Sequence, residues 1–278
     1  MSKHVKQTFV YIKNNWVSVF LHALIPAILY SILVNPTSSF DFIMKEISTM
    51  ELESVWDVFI RINDGSSWTS WVYILMFFGI MIVTMIVFGS FIGKIQNKMK
   101  YGQPLYTGIK GVFKRTNENI WAAIRIVIII LFALELFAVL MSIVIFFAVK
   151  ITHIAVLRVI IVVFFALLFI TGAFYMLTWL SCALPGMTMR RQGLLTSSKA
   201  SMRMVKNSFG RIFIDLYLPL IISYIPVLII SAFDVVYNHV VLDIFKYTSS
   251  FVFYMFSFTY YIVYMYCLYF EINDIERE

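Results

Sequence analysis

The sequence predicts an all-α, polytopic membrane protein: six transmembrane helices forming three pseudo-repeats, each an amphipathic interfacial helix followed by a transmembrane hairpin. Three observations predict it. Of 278 residues, 61% are hydrophobic and 13% charged, with a mean hydropathy of +0.88, far more apolar than a soluble domain of this length. The apolar residues gather in six long runs, each near or above the ~20 residues that a bilayer core requires. The cations gather between those runs, most of them in three basic stretches. A formal net charge of +7 placed in this way points to anionic headgroups and topology, and against a face for nucleic acid.

The clearest basic stretch is Arg190–Phe213, RRQGLLTSSKASMRMVKNSFGRIF, with six Lys plus Arg and no acid. Read as a helix, it puts Leu195, Met202, Val205 and Phe209 on one face, with Lys199, Arg203 and Lys206 along its flank. Such a helix lies in a membrane interface, its apolar face in the acyl boundary and its cations reaching for phosphates.

Taken in order, residues 3–15 show the same pattern, with Val5, Phe9, Ile12 and Trp16 on one face and Lys6 and Lys13 on its flank. The first span follows at about 16–34, too long for a signal-peptide core and read as retained. Residues 35–68 form an acidic outer segment, in which Phe40, Met44, Ile47, Val55, Phe59 and Ile62 recur at the spacing of short surface helices. The second span, about 69–93, closes on Gly89-x-x-x-Gly93. A basic loop (Lys94–Asn119) follows, with a new helix expected from Pro104 and carrying Lys110 and Lys114. The third span is expected at about 120–149 and the fourth at about 155–185, stopping at Pro185-Gly186. The fifth and sixth follow at about 211–233 and 247–270. Counting Lys plus Arg, the N-terminus, second loop and fourth loop hold three, six and six, against five in the outer loops together. By the positive-inside rule both termini are cytoplasmic.

The repeat units are taken as about 1–95, 96–186 and 187–278. Lys13-Asn14-Asn15-Trp16 aligns with Lys206-Asn207-Ser208-Phe209, and a proline follows each aromatic by ten residues, Pro26 and Pro219. The middle copy keeps Asn119 and Trp121 but loses the lysine and the proline. In each copy an aromatic (Trp16, Trp121, Phe209) would set depth and the neighbouring cations would meet headgroups. With the run KASMRMVKNSFGRIF, this arrangement resembles a loose group of bacterial six-helix membrane proteins, among them the membrane domain fused to some glycerophosphodiester phosphodiesterases. The resemblance implies the fold and a bacterial plasma membrane. It does not carry over phosphodiesterase activity, because no soluble catalytic domain is present.

Ionisable residues inside spans are functional candidates by default. Glu135 lies near the middle of the third span, as a proton- or cation-linked site, as a charge partner for another subunit, or as a protonated carboxyl hydrogen-bonded in the bundle. His22 and Asp215 occupy equivalent repeat positions and would pair if the first and fifth spans touch. The tyrosines of the sixth span (Tyr247, Tyr254, Tyr260, Tyr261, Tyr264, Tyr266 and Tyr269) would line a polar groove or partner surface, or act as packing residues that find acceptors. Cys182 and Cys267 lie in apolar runs, which argues against a disulfide framework. No HExxH, CxxC or phosphate-loop pattern occurs, so neither enzyme activity, metal nor cofactor is expected. The favoured expectation is a scaffold or accessory subunit binding anionic lipid and a protein partner, such as a separate ATPase or another membrane subunit. The rival is a transporter or permease-like subunit using Glu135, His22 and Asp215.

Overall fold

The computed structural model describes residues 2–33, 55, 89, 91–95, 109–151, 155–237 and 240–275. These are helical almost throughout: α1 (Lys3–Asn14), α2 (Trp16–Leu33), a short helical stretch at 91–95, α3 (Ile109–Ile151), α4 (Ala155–Met189), α5 (Leu194–Tyr237) and α6 (Val240–Ile275). Among the described residues, the windows Leu167–Met189, Leu194–Ser231 and Val240–Tyr269 are long and apolar enough to cross a membrane. The bent pair Lys3–Asn14 and Trp16–Ile32 makes a fourth when taken as one span. Among the described residues the protein is all-helical, with three to four helices apolar and long enough to span a membrane. The acidic outer segment and most of the second span lie outside the described residues.

Several boundaries differ from the sequence reading. α4 runs through Pro185 to Met189 instead of stopping there, because only the carbonyl one turn back loses a donor to the proline ring. Arg191, with φ 52, takes the left-handed conformation that ends many helices and turns the chain toward α5. The basic helix and third span are one helix from Ile109, and the polar tail stays helical to Ile275.

The chain divides into two compact units, one holding 1–35, 77–126 and 178–278 and the other 36–76 and 127–177. In the smaller unit, Phe137 of α3 meets Phe169 of α4 edge-on at 5.9 Å, while Phe132, Ile160, Phe164 and Leu167 are exposed. Large apolar side chains facing outward suit a lipid solvent.

In the larger unit, α6 is the central helix, packed against α1, α2 and α5. Its Ile262, Val263, Tyr266 and Cys267 join Val19 of α2, Phe91, Ile92 and Ile95 of the short stretch, and Met189 of α4 in one core. Both cysteines are buried.

The two ends of the chain enter this unit through similar joints. α1 begins with Ser2 as N-cap, its Oγ accepting from Val5 N–H at 3.4 Å. It ends at Asn15 (φ −129, ψ 23), whose Nδ2 donates to the Tyr11 carbonyl at 2.7 Å, and α2 leaves at 92°. In α5 the sole non-helical residue is Ser208 (φ −135, ψ 18), which aligns with Asn15 in sequence. Burial follows the same register: His4, Val5, Thr8, Val19 and Ala23 are buried, as are their counterparts Ser197, Ser198, Ser201, Ile212 and Leu216.

Candidate functional site

The basic stretch of α5 presents two chemically different faces. Ser197, Ser198, Ser201 and Val205 are buried, whereas Leu195 is 77% exposed and Met202 45%. Lys199, Arg203 and Lys206 are exposed beside them. The apolar face expected from periodicity therefore splits: Val205 turns inward with the serines, Phe209 is half-buried, and Leu195 and Met202 stay outside with the cations. The reason is steric. Small serines let α5 approach α4 closely, and bulkier side chains are left on the outer side.

Trp179 of α4 holds that serine face. Its indole Nε1–H donates to the Ser198 carbonyl at 2.7 Å, and its own carbonyl accepts from Ser201 Oγ at 2.5 Å. Gly186 completes the contact, since a Cβ there would sit 3.2 Å from Ser197 Oγ. α1 is seated differently, on the aromatic side of α6. Phe9 lies 6.3 Å from Phe256 and 5.5 Å from Tyr260, and His4 meets Tyr264 edge-on at 6.3 Å. Its Lys6 and Lys13 are exposed. Burial pushes the Tyr11 phenol of this helix well above its ordinary pKa.

The α6 tyrosines serve mainly to tie helices together. Tyr260 donates to the Asp215 carbonyl at 2.5 Å. That carbonyl stands four residues before Pro219, which has no N–H to offer it, so the phenol replaces the missing helical donor. Tyr261 donates to Ser181 Oγ, four residues before Pro185, and Tyr266 shares a 2.6 Å hydrogen bond with Thr188. Tyr217 of α5 bonds Thr178 of α4 at 3.0 Å. The Tyr264 hydroxyl is buried with no hydrogen-bond partner in the structure.

His22 and Asp215 do not form the ion pair envisaged from their equivalent positions. His22 Nδ1 contacts the Ser18 carbonyl at 2.6 Å and its ring lies 5.6 Å from Phe91. Asp215 instead faces Arg211, one turn back on its own helix, at 3.9 Å. Lys94 reaches Ser18 Oγ at 3.5 Å, and burial lowers the pKa of its ammonium group. Trp16 and Trp121 are 64% and 62% exposed, as a lipid-facing aromatic requires. Lys110, Lys114 and Glu135 lie on α3, with side chains outside the described set. Among the described residues, no three His, Cys, Asp or Glu gather to hold a metal.

Sequence reasoning missed the Trp179 clamp, although its signal was present in the Ser197-x-x-x-Ser201 spacing on a helix otherwise rich in long side chains. It also missed an open groove beside Asp215, lined by α1, α5 and α6. Comparison with protein-family models, curated proteins and solved structures gave no match.

Proposed function

We propose that the protein is a non-enzymatic scaffold or accessory subunit of a bacterial plasma membrane, binding anionic lipid and a partner protein through basic helices on the cytoplasmic face. The observation that carries this reading is the outer side of α5. Leu195 and Met202 remain exposed next to Lys199, Arg203 and Lys206, while the opposite serine face is held against α4. Apolar side chains entering the acyl boundary with cations at headgroup level match what an anionic leaflet attracts.

The architecture proposed with it is six spans in three like-oriented units, both termini cytoplasmic, as in the six-helix group the sequence resembles. The shared dihedrals of Asn15 and Ser208, and the matching burial of the helices that precede them, support that repeat.

The test is the variant K199Q/R203Q/K206Q, which keeps the side-chain stems and removes the charge. Full-length protein purified in mild detergent should retain phosphatidylglycerol over phosphatidylcholine in native mass spectrometry, and the variant should lose that preference together with any co-purifying partner. Unchanged lipid selectivity and an unchanged set of co-purifying proteins would sink the reading.

A further inference from the structure

The groove between α1, α5 and α6 has a volume of about 620 Å³, within the ~300–1,000 Å³ range of small-molecule sites. Its walls are largely apolar, including Val5, Phe9, Leu218, Ile222 and Phe256. Among the described residues that line it, Asp215 is the single ionisable one. That side chain is 12% exposed, and its Oδ2 is buried with no hydrogen-bond donor among the described residues. Arg211 Nε stands 3.9 Å away on a side chain that is 62% exposed. An ion pair that long and that wet holds neither partner firmly. Asp215 Oδ2 is thus set in a largely apolar groove without a donor among the described residues, an arrangement that favours a bound cation able to donate hydrogen bonds.

We propose that this groove binds a single-chain amphiphile with a protonated amine head, the ammonium against Asp215 Oδ2 and the hydrocarbon along Leu218, Ile222 and Phe256. Pro219 aids the fit by loosening the helix next to the carboxylate. Tyr260 occupies the backbone carbonyl freed there and leaves the side-chain oxygen as the free acceptor. An anionic head is repelled by Asp215, and a neutral alcohol lacks the charge. The site is independent of the outer stripe of α5, which selects the opposite sign.

The test uses the full chain in a non-ionic detergent with dodecylamine bearing a diazirine near the chain end. Crosslinks should map to residues 214–223, Phe256 and the Val5–Phe9 side of α1. Unlabelled dodecylamine should compete at concentrations at which dodecan-1-ol does not. D215N should lower labelling by about tenfold or more, as loss of a charged hydrogen bond implies, while D215E retains it. Ile222→Trp should block labelling by filling the channel with the carboxylate intact. If D215N fails to fold, judged by its melting curve, the competition and the Ile222→Trp variant decide. Equal competition by dodecan-1-ol, full labelling of a folded D215N, or crosslinks mapping outside the groove would each overturn the proposal.

Discussion

The joint at Asn15 and the joint at Ser208 occupy the same place in the pattern Lys-Asn-x-aromatic, and their backbone angles agree closely (φ −129 and −135, ψ 23 and 18). What surrounds them differs. At Asn15 the side chain itself caps the helix, donating to the Tyr11 carbonyl, and the chain turns through 92°. Ser208 is exposed, and α5 kinks there. One turn before each following proline stands a polar residue, His22 before Pro26 and Asp215 before Pro219, yet one meets a carbonyl and the other an arginine. The helices seated by the joints also differ, α1 on aromatic rings of α6 and α5 on the Trp179–serine clamp of α4. The two joints therefore share backbone angles while the side chains around them differ, as their different neighbours require.

The comparison can be broken from either side. Trp179→Ala removes both packing volume and the indole donor that holds α5, and should destabilise the protein by about 3 kcal/mol. Its effect in hydrogen exchange should fall on residues 194–207 and spare α1. Uniform loss of protection would contradict this. Tyr260→Phe leaves the Asp215 carbonyl without its donor in a buried setting, at a cost of about 1–3 kcal/mol in denaturant unfolding. In a Pro219→Ala background the helix regains its own N–H donor, so the same substitution should cost clearly less. Equal losses in the two backgrounds would show that the phenol does not stand in for the helix bond. Asn15→Ala should cost about 1 kcal/mol through the lost side-chain bond, whereas Ser208→Ala should stay within about 0.5 kcal/mol, as is usual for exposed positions. Finally, K199Q/R203Q/K206Q should leave the melting temperature nearly unchanged, because exposed cations contribute little to folding.

Helicity and the turn of α1 into α2 were legible in the sequence because periodicity and a basic–asparagine–aromatic pattern act locally, whereas the Ser2 N-cap was not read from it. Helix ends were less so. Pro185 and Pro219 look like terminators by their own chemistry, but the bundle absorbs them, and for Pro219 the phenol of Tyr260 meets the freed carbonyl across the bundle. On α5 the exposed side chains include Lys199, Arg203 and Lys206, whereas Val205 turns inward instead of joining Leu195 and Met202, a direction that depends on which helix the serines meet. The groove beside Asp215 could not be read at all, since its walls come from three helices far apart in sequence.

The central claim is that one basic unit is repeated with one orientation. It is tested most directly by labelling in sealed membrane vesicles, with Cys182 and Cys267, both buried, replaced by alanine. Single cysteines placed at Lys6, Lys110 and Lys199 should all react with a membrane-impermeant maleimide in inside-out vesicles and in none of the right-side-out ones. Reaction of any one of them from the outer side would contradict the account.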